Sequence, residues 1–171
     1  EGQVADVFSP GRYTLTTQNM PVMTKLESWK YGFESPFKAE VYFVNTRQFT
    51  DQKWGTANPI IMRDAEFGMV RLRAFGIYSF RVAEPAIFLK EIFGTRAQFD
   101  TESITGQLRR SLVSGLSDML GEDQTPVLDL AANYDELSLK AIEKLQPRFT
   151  SLGLKLETFY VENISLPEEV E

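Results

Sequence analysis

Between Met69 and Val82 the chain alternates without a break: Val70, Leu72, Ala74, Gly76, Tyr78, Phe80 and Val82 interleave with Met69, Arg71, Arg73, Phe75, Ile77, Ser79 and Arg81. Successive side chains of a strand point to opposite faces, so a period of two held this long dictates one extended strand with the first set facing a core. It exceeds the usual strand length, which predicts a bend near Gly76, and Glu84-Pro85 stops it. A strand with one apolar face needs partner strands and a covering layer, and the remaining sequence is searched for both.

Downstream the period changes. Ala86, Phe88, Leu89, Ile92 and Phe93 fit a short amphipathic helix ended by Gly94. Asp100-Thr101-Glu102-Ser103 opens a second helix whose apolar positions Ile104, Leu108, Leu112, Leu116 and Leu120 recur every fourth residue, with Gly121 as its expected end. The acidic residues Asp100 and Glu102 suit a helix start, where they meet the positive end of the dipole. After a turn over residues 122–126, Leu137, Ala141, Leu145 and Phe149 repeat at the same spacing, so a third helix runs toward Gly153 with a kink expected at Pro147. Residues 154–164 read as a final strand, followed by the turn Ser165-Leu166-Pro167.

Upstream the signals are shorter. Residues 13–17 read as a strand between turns, residues 26–37 as an aromatic-rich linker, and residues 39–45 as a strand with Val41 and Phe43 on one face. A loop over residues 45–59 carries a short strand around Lys53-Trp54, then Ile60-Ile61-Met62 precedes a turn at Arg63-Asp64-Ala65. Strands, three helices and a returning strand make an α+β protein: an antiparallel sheet, about three helices on one face, and a C-terminal strand joining the sheet. Residues 1–171 are expected to form a single domain, since 171 residues at 43% hydrophobic support one sizeable core.

The chain has no cysteine and no histidine. Disulfides, thiol nucleophiles, Cys/His zinc sites, Ser-His-Asp triads and imidazole acid-base work all require residue types that are missing. No glycine-rich phosphate loop with its Lys-Ser/Thr is present, and Glu122-Asp123 lacks the further oxygen ligands a calcium site needs. Carboxylate, Lys, Tyr or Ser chemistry remains open, with a carboxylate-only enzyme as a minor alternative, but no local motif pairs such a group with an activating neighbour. No catalytic, cofactor-binding or metal-ligating residues are therefore assigned, and no enzyme is expected. The formal charge of −6 argues against a nucleic-acid or anionic-lipid surface read by bulk electrostatics, which leaves only a local basic patch for such a role. Arg71, Arg73 and Arg81 around the long strand and Arg109-Arg110 on a helix are basic candidates, with a solvated surface as their simplest role. No run of about 18 uncharged apolar residues occurs, so no transmembrane segment is expected in this fragment. Opening on Glu1 and closing on acidic residues 166–171, the chain reads as a domain excised from a longer one.

Particular strings resemble the SPFH (band 7) domain of stomatins, prohibitins and flotillins: residues 11–21 (GRYTLTTQNMP), residues 70–82 with Glu84-Pro85, and residues 152–169 closing on Leu166-Pro167-Glu168-Glu169. The resemblance spans roughly residues 10–170. Residues 30–33 (KYGF), 40–45 (EVYFVN) and 54–60 (WGTANPI) are most similar to the bacterial virion core protein-like group. The resemblance implies the SPFH fold, homo-oligomeric assembly and a role organising membranes or membrane proteins, without catalysis by the domain. It implies a cytoplasmic protein, peripheral at the membrane directly or through a partner. On this basis the expected function is a self-associating module of a membrane-linked scaffold that organises membrane or stress-response proteins; the alternative is a soluble protein-binding adaptor of a stress response. Candidate membrane or subunit contacts are Trp29, Tyr31, Phe33 and Phe37, for which core or subunit packing is the leading role, and Arg109 and Arg110.

Overall fold

The computed structural model describes residues 7–13, 41–93, 101–122 and 125–166. The chain divides into two units, Glu1–Asn45 and Thr46–Glu171. In the first unit, Phe8 and Tyr13 bring their ring centroids to 4.8 Å and the hydroxyls of Ser9 and Tyr13 lie 3.2 Å apart. The strand expected over residues 13–17 lies outside the described residues, apart from Tyr13, which is not in a strand. The strand expected over residues 39–45 is corrected where it is described: residues 41–45 are in no strand, and residues 39 and 40 lie outside the described residues.

The second unit contains β1 (Phe49–Gly55), β2 (Ile60–Asp64), β3 (Gly68–Val82), α1 (Pro85–Phe93), α2 (Thr101–Glu122), α3 (Val127–Ala132), α4 (Tyr134–Thr150) and β4 (Leu154–Ser165). This is an α+β architecture with a four-stranded antiparallel sheet and a C-terminal strand. All pairing runs through the long strand β3: β1 and β2 bond to its two halves and β4 pairs with most of its length. Gly55 faces Phe75 while Ile60 faces Leu72, so β1 and β2 are one edge interrupted where two extra residues are looped out. Thr56 bridges the interruption, donating its backbone N–H to the Ala74 carbonyl (3.0 Å) and accepting from the Ala74 N–H on its hydroxyl (3.2 Å).

The inward face of β3 is Val70, Leu72, Ala74, Gly76, Tyr78, Phe80 and Val82, all buried, as its alternation predicts. Helices α2 and α4 cover it with the expected stripes: Leu108, Leu112, Leu116 and Leu120 from α2, and Leu137, Ala141, Leu145 and Phe149 from α4. Phe149 stands edge-on to Tyr78 with centroids 6.4 Å apart. The two helices meet at Gly115, where a Cβ would collide with the Leu145 methyl. Arg148 lies across that same glycine, donating to the Ser111 carbonyl (3.3 Å) and to the Asp118 carboxylate (2.8 Å).

Three boundaries differ from expectation. α2 runs on to Glu122, so Gly121 sits inside it and does not cap it. The six-residue α3 has no stripe in the sequence long enough to announce it; it exists because Val127 and Leu130 are buried. The turn placed at residues 63–65 falls at residues 65–67, because β2 continues to Asp64 opposite Gly68. Gly68, where β3 leaves the turn, takes a left-handed φ of 74°, a conformation that glycine adopts without the steric cost of a Cβ. Helix α4 continues through Pro147 to Thr150.

Gly76 does mark an irregularity, with a packing cause. Trp54 of β1 reaches across β3 to stack on Phe159 of β4 (centroids 4.8 Å) and donates its indole N–H to the Tyr160 carbonyl (3.2 Å). A Cβ on Gly76 would collide with that carbonyl and come within 3.0 Å of the indole nitrogen. Beside it β4 bulges: Phe75 faces Asn163 and Gly76 faces Val161, leaving Glu162 as the extra residue. A second bulge leaves Glu157 extra between Thr158 and Leu156. In β1, Asp51 with φ 54° supplies a third, in a conformation that Asp tolerates better than most side chains.

Candidate functional surface

Catalysis requires polar groups released from structural duty and gathered in a concavity. Among the described residues the buried polar ones are Asp64, Ser79 and Ser138, and each joins elements. Asp64, at the end of β2, accepts the N–H groups of Glu66 (2.8 Å) and Phe67 (2.9 Å) on one oxygen and that of Val127 (2.8 Å) on the other. It closes the β2–β3 hairpin and holds the start of α3. Hydrogen bonding from the Val127 amide, then from Phe67 and Glu66, holds its carboxyl below the usual carboxylate range against the opposing effect of burial.

The Ser79 hydroxyl lies 2.6 Å from that of Thr158 and accepts from the Gln48 amide at 2.8 Å. Ser138 donates to the Tyr134 carbonyl (2.7 Å) and accepts the Val161 N–H (3.1 Å). Tyr78 is pushed up to about 12 by burial, with the positive charge of Arg109 acting in the opposite direction. Among the described residues no group of three carboxylates is placed to hold a metal ion. A shallow concavity lined by Ile142, Glu143, Gln146, Pro147, Thr150 and Ser151 belongs to α4 and its exit, and Glu143 is its only acid.

The chemistry left facing outward lies on the sheet. The second face of β3 presents Met69, Arg71, Arg73, Phe75 and Arg81, with Ile77 half-buried and Ser79 buried between them. Register carries Ile61 opposite Arg71, Arg63 opposite Met69, Lys53 opposite Ile77 and Tyr160 opposite Ile77 on its other side. Met69 is 65% exposed, Ile61 54%, and Phe75 and Tyr160 50% each. Every basic residue of the four strands lies on this face: Lys53, Arg63, Arg71, Arg73, Arg81 and Lys155. Glu157 bridges Arg81 (2.6 Å) and Lys155 (3.3 Å) at the far end. Desolvation raises the Glu157 pKa, but hydrogen bonds from Lys155 and Arg81 outweigh it and hold the carboxyl below its ordinary value. Among the described residues no ion pair engages Lys53, Arg63, Arg71 or Arg73.

The residues singled out from the sequence are not gathered here. Trp29, Tyr31, Phe33 and Phe37 lie outside the described residues. Arg109 and Arg110 are exposed on α2, in the helical layer over the sheet's inward face. Arg71 and Arg73 do lie on the outward face; Lys53 and Arg63, which the sequence reading passed over, join them only through strand register. Their signal was present in part, since each flanks an apolar residue in an alternating pair.

A sheet covered by helices on one face, with its described buried polar groups committed to joining elements, makes an α+β module whose distinctive chemistry is a surface. The model of the SPFH domain–Band 7 family matches residues 1–171, and the chain belongs to that family. It is also similar to the uncharacterized protein YdjI of Bacillus subtilis (strain 168), at 29% identity over 172 residues that cover 99% of this chain and 53% of the relative. The chain thus spans about half the length of the curated relative it matches. No described helix is long and apolar enough to cross a membrane.

Proposed function

We propose that this protein is a non-catalytic, self-associating SPFH module of a membrane-linked scaffold that organises membrane or stress-response proteins. The observation that carries this reading is the disposition of polar chemistry within a fold of this family. Asp64, Ser79 and Ser138 are each used to join elements, while the outward sheet face keeps basic and apolar side chains together. Such an arrangement suits binding by surface. Within the family, the strings at residues 30–33, 40–45 and 54–60 support membership of the virion core protein-like group. Its partners on this reading are further copies of itself and a membrane or membrane proteins, with peripheral attachment on the cytoplasmic side. Trp29, Tyr31, Phe33, Phe37, Arg109 and Arg110 remain the candidates for subunit or membrane contact.

Sedimentation velocity of the purified protein across a concentration series tests self-association. The expected result is a large species that grows with concentration. A monomer at every concentration overturns self-association and favours a soluble protein-binding adaptor.

A further inference from the structure

The β2–β3 end of the sheet combines three features that rarely share one face. Its apolar residues Ile61, Phe67, Met69 and Phe75 are exposed. Arg63, Arg71 and Arg73 stand among them, with Arg71 opposite Ile61 and Arg63 opposite Met69, so charge and hydrocarbon alternate as a checkerboard. The protein as a whole carries −6, so this patch opposes the sign of the rest of the molecule.

We propose that this face docks flat on an anionic membrane surface, a proposal that rests on the membrane-linked reading above and adds the face and the lipid class. Guanidinium groups pair with phosphate oxygens, and apolar side chains set between them enter the headgroup boundary. A net negative molecule is repelled by an anionic leaflet in every orientation except one that turns its basic patch toward it, so the charge distribution selects the docking pose. The basic residues of the hairpin are spread over two strands and not aligned along a groove, which suits a surface rather than a single extended ligand.

The test is co-sedimentation with vesicles of pure phosphatidylcholine and of phosphatidylcholine containing about one third phosphatidylglycerol, at low and high salt. The triple variant Arg63→Gln/Arg71→Gln/Arg73→Gln is compared with a variant that removes the same charge from the helices, Lys90→Gln/Lys140→Gln/Lys144→Gln. All three arginines are exposed, so circular dichroism and thermal unfolding of the triple variant should match the parent. Each basic residue near an anionic leaflet contributes about fivefold to partitioning, so the arginine variant should bind anionic vesicles roughly a hundredfold more weakly. The helix variant should stay close to the parent, pure phosphatidylcholine should recruit neither, and high salt should release the bound protein. Equal binding by both variants would overturn this face as the contact while leaving membrane linkage intact. A parent that ignores both vesicles yet assembles with concentration overturns the proposal, and any membrane linkage then runs through a partner.

Discussion

At the scale of single residues, Asp64 shows how one carboxylate organises segments far apart in sequence. Its oxygens take amides from the adjoining turn and from Val127, so the acid ties a hairpin to a helix. Asparagine in its place keeps one acceptor oxygen but turns an N–H₂ toward a second donor, leaving a buried amide unpaired. Asp64→Asn should lower the Tm by several degrees at neutral pH. The native carboxyl is held below its ordinary value of 3.8, so its contribution is present above that pH and drains away as pH falls through the folded value. The two proteins should therefore converge in acid, as a Tm series from neutral pH downward would read; a gap that persists in acid contradicts the assignment. Arg109 and Arg110 illustrate the limit of residue-level signals. Their positions opposite the leucine stripe of α2 were legible, and their exposure follows from it, but a helix period says nothing of what an exposed arginine meets.

At the scale of elements, β4 is held on two sides. It pairs with β3, and α4 supplies hydroxyls to its amides: Ser138 to Val161 and Tyr134 to Ile164, the latter at 3.2 Å. These amides are thereby unavailable to a further strand, which guards the sheet against unplanned pairing. Ser138→Ala should strand the buried Val161 N–H and cost about 1–3 kcal/mol in urea unfolding, with amide exchange accelerated first at Val161. Unchanged exchange there would show that the hydroxyl is dispensable. The elements themselves were largely readable: β3, α1, α2, α4 and β4 follow from alternation or fourfold spacing. α3 was not, because six residues offer too short a period, and over the described part of the strand expected at residues 39–45, residues 41–45, propensity alone makes no strand.

At the scale of the molecule, the core closes around Tyr78, which packs against Phe80 and Phe149 from sheet and helix together. Its phenol is pushed from 10 up to about 12, so below pH 10 it is neutral in folded and unfolded chains alike and its stabilising effect is complete. As pH rises through 10 toward about 12 only the unfolded chain ionises, and stability falls. Thermal unfolding should therefore drop more steeply across that alkaline window in the parent than in Tyr78→Phe. Parallel pH profiles would place Tyr78 outside the cooperative core.

The core face of β3 and the two helix stripes were determined by the sequence alone, because each rests on a local period of two or about four. So was the absence of cysteine and histidine chemistry. Tertiary structure decided the rest. Only folding brings Val127 to Asp64, sets Trp54 over Gly76 against Tyr160, and carries Lys53 and Arg63 beside Arg71 and Arg73. These contacts depend on register and bulges, which are set by which residues lie opposite one another across the sheet, and that pairing has no period within the chain.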